Sequence, residues 1–356
     1  MMFTIFRLGI LIVFLVVLIR LKLNLALALI ITSVCAGILF RVKLLVLIKT
    51  FPLTLIQATT LEFLFIIYLV LLLGSLMELS GNLRKIINSM EGLFGDYRIG
   101  VAIMPALIGL LPMPAGAMLS APIVKQAGIK ANLSPDKMTY INFWFRHLWE
   151  YFWPLYPAIL ISAGIFNVSV REIMIAQFPL SLFAITVGLF FIFRLPRISN
   201  DPSTTNINHL WQILYNLWPI ILVILLVLIL KFRMSLAMTI GGFAALLFSG
   251  MNIKQIPLVF KKAFSISTLG VIYSVFLFKN IVEISGSLKM MPGISSGPFI
   301  LKMLIIFFAP FIVGFLTGVN SAFAGIGFPV IAPLIVHSGA NLSYIPLAYI
   351  ICLIYI

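Results

Sequence analysis

Charged side chains are scarce in this chain of 356 residues, and acidic ones are the scarcest. Asp, Glu, Lys and Arg together make up 9% of the residues, whereas 62% are hydrophobic and the mean hydropathy is +1.20. A soluble domain uses about 25% charged residues to cover its surface. The composition therefore excludes a soluble globular protein and leaves no room for a sizeable domain outside a membrane.

Cysteine and histidine are also rare. Cys35 and Cys352 each lie inside an apolar run, so neither a disulfide framework nor a cysteine-based metal site is indicated. His147, His209 and His337 lack the spacing of metal ligands, and the sequence contains no HExxH or nucleophile-elbow motif. We therefore expect no catalytic residues, no metal and no cofactor.

The basic residues outnumber the acidic ones by 24 to 9, which gives a net charge of +15. In a soluble protein this excess would suggest a nucleic-acid partner. Here the basic residues stand singly or in pairs at the ends of apolar runs, as do Arg20, Lys22, Lys261 and Lys262. Such positions meet lipid headgroups. The pattern therefore predicts the lipid bilayer as a partner and no nucleic acid.

The apolar residues form runs that would supply about ten or eleven membrane helices. They lack the alternation of a membrane β-barrel, so the expected fold is an all-α polytopic membrane protein. We expect a multi-pass protein of the cell (plasma) membrane. Its first run follows Arg7 without a cleavage site, which indicates a retained signal anchor. The runs cover residues 8–19, 25–40, 63–77, 101–124, 141–166, 178–193, 210–230, 234–249, 266–284, 299–336 and 345–356.

Two of these runs, 101–124 and 299–336, are rich in proline and glycine. A continuous helix tolerates one proline but not several. Broken backbone at membrane depth survives only where it is buried in protein or lines a watery cavity. Each run is therefore predicted to be a broken helix or a re-entrant hairpin. The alternative is a kinked but ordinary span.

The two irregular runs occupy equivalent places in an internal repeat. At an offset of 205 residues, the ELSG motif at 78–81 falls on the EISG motif at 283–286, and Pro105 falls on Pro310. A string of such matches in one order indicates a duplicated unit of about 200 residues. If each broken run is a hairpin that returns to its own side, the halves have opposite orientations.

The predicted organisation is a first transmembrane repeat over residues 1–200 and a second over 201–356. The second repeat is expected to be shortened at its C-terminus, because the first continues for about 45 residues beyond the position that matches Ile356. Duplicated halves with interrupted segments at matching positions are typical of secondary transporters, which bind substrate where the two segments meet.

The segment 140–157 places four polar side chains in an aromatic-rich apolar run. On a continuous helix Asn142, Arg146 and Glu150 would share one face, with His147 beside them. Each charge in hydrocarbon costs about 2.5–3.5 kcal/mol, so these groups must face the interior and pair. One hypothesis is a purely structural Arg146–Glu150 ion pair. The other is an anion-binding Arg146 with Glu150 and His147 as a proton or cation relay.

The tips of the two broken runs are the second candidate site. Small residues allow backbone to approach a ligand, and the N-terminus of a half-helix offers free N–H groups to an anion. The candidate substrate-binding residues are Pro112, Pro114, Gly116 and Ala117 in the first tip and Thr317, Gly318, Asn320 and Ser321 in the second, together with Asn142 and Arg146.

The stretches GLLPMPAGAMLSAPIV (109–124) and INFWFRHLWEYFWPLYP (141–157) carry a family resemblance. They resemble an uncharacterised family of archaeal and bacterial integral membrane proteins grouped with the ion transporter superfamily, which includes gluconate, citrate, dicarboxylate and arsenite permeases. The second tip, TGVNSAFAG (317–325), resembles the hairpin motifs that hold a carboxylate and sodium in that superfamily. The resemblance implies an inverted-repeat carrier, often a homodimer.

These observations lead to one expected function and two alternatives. We expect a secondary active transporter of a small organic anion, coupled to protons or sodium. A membrane-embedded enzyme acting on a lipid-linked substrate would use His147 and Glu150 as acid and base, but it needs one catalytic cluster and not two matching broken helices. A non-transporting scaffold would have no use for buried charges.

Overall fold

The described part of the chain is helical. The computed structural model describes residues 2–90, 97–110, 116–130, 132–195, 207–286, 299–317, 320–329 and 331–332, and no strand occurs among them. The first helices are α1 (Met2–Arg20), α2 (Leu25–Leu39), α3 (Leu44–Ile56), α4 (Ala58–Leu79), α5 (Asn82–Met90), α6 (Tyr97–Gly109), α7 (Gly116–Lys130), α8 (Pro135–His147) and α9 (Pro157–Phe166). They are followed by α10 (Val170–Phe193), α11 (Ile207–Leu228), α12 (Met234–Phe248), α13 (Ile256–Ala263), α14 (Ile266–Ile284), α15 (Phe299–Thr317), α16 (Asn320–Ala322) and a π-helix (Phe323–Gly327).

Four of these helices are long and apolar enough to cross a membrane. They are α4, α10, α14 and the Asn208–Leu228 part of α11, with 19 to 24 residues each. At about 1.5 Å per residue such helices match a hydrocarbon core of about 30 Å. The length and composition of these four helices confirm the prediction of a membrane protein with transmembrane helices.

The chain forms two compact units that do not follow the predicted halves. The first unit comprises residues 1–67, 156–177 and 265–355, and the second comprises 68–155, 178–264 and 356. Each unit therefore combines pieces from both halves of the sequence. The repeat boundaries at 1–200 and 201–356 stay a prediction, because this division by contacts does not test a duplication.

The first unit is built around α14, which packs against α2 and α3. Its core includes Ala36 and Leu47 together with Leu277 and Ile281, all nearly inaccessible. Asn280 of α14 adds a polar link, because its Nδ2 donates to Thr54 Oγ1 and Gln57 Oε1 at 2.9 Å each. Burial of apolar surface and a few satisfied polar groups together hold this unit.

The second irregular run lies in the same unit and is interrupted. Helix α15 ends at Thr317, and the short α16 and the π-helix follow from Asn320. The chain then packs back onto α15: a Cβ on Gly327 would lie 2.9 Å from Pro310 Cα, and one on Gly314 would lie 3.6 Å from Phe323 Cδ2. The positions 310 with 327 and 314 with 323 indicate antiparallel packing.

The second unit contains the first irregular run, which is interrupted as well. Helix α6 ends at Gly109 and α7 begins at Gly116, and both helices pack against α8. Elsewhere in this unit Ser89 Oγ donates to Gln212 Oε1 at 2.9 Å. Lys262 Nζ at the end of α13 donates to Glu78 Oε1 at 2.6 Å.

Candidate functional site

The segment 140–157 is not the single helix that its apolar character predicts. Helix α8 ends at His147, residues 148–156 form turns, and α9 begins at Pro157. Pro154 cannot donate a helical hydrogen bond, and Pro157 forces the residue before it out of the helical region. Tyr156 accordingly has extended backbone (φ −81°, ψ 131°). The two prolines thus keep residues 148–156 from continuing α8 into α9, and this third break lies outside the two runs rich in proline and glycine.

The three charged or titratable side chains still meet at the end of α8. Glu150 Oε1 lies 4.0 Å from Arg146 Nη1 and 3.7 Å from His147 Nε2. The side chains of Glu150, Arg146 and His147 are 14%, 5% and 18% exposed, and the whole Arg146 residue is 4% exposed. Glu150 reaches Arg146 from a turn, and the predicted helical stack of Asn142, Arg146 and Glu150 is wrong in its third member. Asn142 remains on α8, one turn before Arg146.

The imidazole of His147 lies between a backbone carbonyl and the Glu150 carboxylate. Its Nδ1 lies 2.5 Å from Phe143 O. Because a carbonyl oxygen can only accept, Nδ1 must carry the proton of this hydrogen bond. Nε2 of a neutral His147 is then an acceptor on the side of Glu150. The 3.7 Å between Nε2 and Glu150 Oε1 is longer than a hydrogen bond, so a proton passes between them only after a small movement of one side chain or through a water molecule.

Two tryptophans from the break hold the end of α6. Trp149 Nε1 donates to Ala106 O at 2.6 Å, and Trp153 Nε1 donates to Leu110 O at 2.9 Å. The last carbonyls of a helix have no partner within it, so side-chain donors here stabilise a helix that ends inside the protein. The indoles thus fix the position of α6 just before the first tip.

Gly109 brings the end of α6 directly against the arginine. A Cβ at Gly109 would collide with the backbone carbonyl oxygen of Arg146 and would lie 2.9 Å from Trp149 Cδ1. Only glycine allows this approach. The entry to the first tip and the Arg146 segment therefore form one packed structure in the second unit.

Helix α10 holds the same segment from another direction. Ser181 Oγ donates to Leu148 O at 2.9 Å, and Trp144 Nε1 donates to Ala184 O at 3.0 Å. Gly188 also leaves room for the indole of Trp144. Side chains outside the charged group thus fix the turn that carries Glu150.

The tip residues are described in part. Pro112, Pro114 and Gly318 lie outside the described residues. Gly116 and Ala117 begin α7, which packs against α6 and α8. In the first unit, Thr317 ends α15, while Asn320 and Ser321 form α16. The Arg146 cluster and the first tip thus belong to the second unit and the second tip to the first unit.

Lys279 is a further candidate functional residue, and it is not among those predicted from the sequence because the run 266–284 is otherwise largely apolar. It lies in the long helix α14, and its Nζ donates to Gly164 O at 3.3 Å. The available signal was a lysine next to an asparagine within an otherwise apolar span. Among the residues that the structure describes, no group of three or more His, Cys, Asp or Glu side chains could hold a metal ion.

Comparison with known proteins identifies a family. No curated protein matches the sequence. The profile of a protein family of unknown function, DUF401, matches residues 4–356. Because this match covers almost every residue from the first helix to the last apolar run, the chain belongs to the DUF401 family.

Proposed function

We propose that this protein is a multi-pass secondary transporter of the plasma membrane that carries a small organic anion together with a coupling cation. The observation that carries the proposal is the arginine at the broken end of α8. Arg146 is 4% exposed, lies next to Glu150 and His147, and abuts the end of α6 through Gly109. Buried charge beside broken backbone is typical of a substrate path in a membrane protein.

The geometry suggests how anion binding and protonation are coupled. A guanidinium binds a carboxylate best through two parallel hydrogen bonds, whereas Glu150 stands 4.0 Å from Arg146 Nη1 in a looser pair. An incoming carboxylate that takes this guanidinium leaves Glu150 buried without a counter-charge. Glu150 would then take up a proton through His147 Nε2. Anion and proton would travel together with no net charge.

Matching left-handed turns support the duplicated halves that such a carrier requires. Lys22 and Arg41, which follow α1 and α2, have φ of 64° and 59°, and Lys231 and Gly250, which follow α11 and α12, have φ of 55° and 64°. Lys22 and Lys231 are 209 positions apart, and so are Arg41 and Gly250. The glycines of the ELSG and EISG motifs also share left-handed φ, 78° at Gly81 and 68° at Gly286. These three turns recur in the same order, whereas the left-handed Asn132 and Asn167 have no counterpart among the described residues.

Opposite orientation of the halves has a direct test. Lys49 and Lys254 occupy equivalent exposed positions in the repeat. With Cys35 and Cys352 replaced by alanine, single variants Lys49→Cys and Lys254→Cys should react with a membrane-impermeant thiol reagent from opposite sides of the membrane. Labelling of both from the same side would refute the inverted repeat.

Binding of an organic anion can be tested before the substrate is identified. Purified protein is heated in the presence of lactate, gluconate, succinate or citrate at constant ionic strength and pH. A ligand at about one hundred times its Kd stabilises the folded state by about 2.7 kcal/mol, so the melting temperature of a chain of this length should rise by roughly 3–5 °C. The stabilising anion should then be taken up by proteoliposomes. Lack of response to every class of carboxylate would argue against the proposal.

A further inference from the structure

A lysine inside an apolar span is the feature of the first unit that the proposed anion site does not use. Lys279 lies in α14, and its side chain is 23% exposed. Its ammonium Nζ donates to Gly164 O at 3.3 Å and stands 3.8 Å from Glu283 Oε1, one helical turn further on. Ionisable groups within membrane spans are expensive, so their partners indicate a function.

The carbonyl that Lys279 binds belongs to the end of a helix. Helix α9 stops at Phe166, and Asn167 takes the left-handed conformation with φ of 55°. The amides of Asn167 and Val168 both donate to Ala163 O. Gly164 O is one of the terminal carbonyls that such an ending leaves over, and the negative end of the helix dipole favours a cation there.

Close packing of α9 against α14 makes this contact possible. A Cβ on Gly164 would lie 2.7 Å from Phe276 Cζ and 2.8 Å from Phe63 Cε2, so only glycine lets the helices approach this closely. Phe276 lies one turn before Lys279. The neighbouring Val275 packs against Gly325 of the π-helix, which follows the second tip. Lys279 thus joins the end of α9 to α14, one turn beyond the residue that packs against the π-helix.

We infer that Gly164 O and the Glu283 carboxylate form a monovalent-cation site that the ammonium of Lys279 fills. Unwound backbone carbonyls and the C-terminal ends of half-helices coordinate sodium in secondary transporters. The Glu283 carboxylate adds an anionic oxygen beside such a carbonyl. No other charged side chain on the described helices around α14 is placed to take over the position of the Lys279 ammonium. On the helices packed against α14, Lys49 of α3 and Glu62 of α4 are exposed, and the sequences of α2, α9 and the π-helix contain no Asp, Glu, Lys, Arg or His.

This inference rests on the proposed function for one of its consequences. In a carrier, a lysine that fills the cation site removes the need for sodium, so the coupling ion is the proton handled by His147 and Glu150. Uptake of the stabilising anion should then persist when sodium is replaced by choline on both sides of the membrane.

The chain offers a matched control in its other half. Glu78 is equivalent to Glu283 at the 205-residue offset, and it also pairs with a lysine, Lys262, at 2.6 Å. Lys262 comes from the separate helix α13, and both side chains are 43% exposed. Glu283 is similarly exposed, at 48%, so the two carboxylates are matched in their access to water. They differ in that Lys279 also donates to the helix-terminal Gly164 O, whereas Lys262 donates to Glu78. Removal of Lys262 therefore leaves a carboxylate without the second oxygen of the proposed site.

The site is tested by melting temperatures of the purified protein in sodium chloride and in choline chloride, without any organic anion. For the wild type, for Lys279→Arg and for Lys262→Ala, the melting temperature in sodium chloride should equal that of the same protein in choline chloride. Lys279→Ala should melt lower in choline and regain on the order of 5 °C in sodium, because sodium then binds the vacated site. Lys279→Gln takes its place, with the same expectation, if the alanine variant does not fold.

Two results would overturn the inference. One is a wild type that gains as much from sodium as the Lys279 variant does, since that would place the sodium site elsewhere. The other is a folded Lys279→Ala or Lys279→Gln that melts identically in both salts. Either result leaves the anion test of the proposed function unaffected, because that test uses the wild type and a different ligand.

Discussion

Replacement of Arg146 by alanine is expected to lower the free energy of unfolding by about 3–5 kcal/mol, because it leaves Glu150 buried without its counter-charge. The arginine is 4% exposed, so water does not substitute for it. Urea or thermal unfolding of the purified protein gives the measurement. Arg84→Ala is the control, since Arg84 is exposed on α5 and should change stability by less than about 0.5 kcal/mol.

A double variant separates the structural role of this arginine from its role in binding. Arg146→Met combined with Glu150→Leu removes both charges and should recover most of the lost stability. The recovered protein should nevertheless bind no organic anion, and Arg146→Lys should bind more weakly than wild type because an ammonium lacks the planar bidentate grip. If the double variant kept anion affinity within a factor of about two, under roughly 0.5 kcal/mol, Arg146 would be a packing residue only.

Gly109→Ala should be the most damaging small substitution in the second unit. The added methyl group meets the backbone oxygen of Arg146 and the ring of Trp149, and a backbone atom cannot rotate away. Overpacking of this kind costs about 1–3 kcal/mol and occasionally more. The shift also displaces the end of α6 from Arg146, so anion-dependent stabilisation should be lost along with part of the stability.

The same helix provides the control for this substitution. Gly100 also lies in α6, but nothing stands within 4 Å of a Cβ built there. Gly100→Ala should leave anion binding intact and change stability by no more than about 1 kcal/mol, in the stabilising direction, because alanine favours a helix. Equal effects of the two substitutions would show that the close approach at Gly109 is unimportant for the site.

Much of the helical layout could be predicted from local pattern. The apolar runs predict the long helices, because the bilayer demands about twenty apolar residues for a crossing. The proline and glycine content predicts the interruptions after Gly109 and Thr317, since backbone restrictions act within a few residues. Burial of Arg146 also followed from sequence, because a charge in an apolar run must find an interior partner.

The position of Glu150 could not be predicted in the same way. A continuous helix would place Glu150 two turns from Asn142 on one face. In the sequence, only Pro154 and Pro157 argue against such a continuous helix. In the structure the helix ends at His147, and Glu150 approaches Arg146 from a turn that Ser181 and Trp153 hold in place. Such contacts join residues far apart in sequence, and their energies depend on distances that no local pattern contains.

Local sequence properties are enough to show that the chain is apolar and helical, that its two proline-rich runs are interrupted and that Arg146 is buried, because these properties depend on transfer free energies and on backbone limits of single residues. Tertiary structure alone decided that Gly109 abuts Arg146, that indoles cap α6 and that Lys279 reaches the end of α9. Each of these contacts requires two helices to approach at a glycine or a helix terminus. Packing between distant segments sets that approach, and only the folded chain contains it.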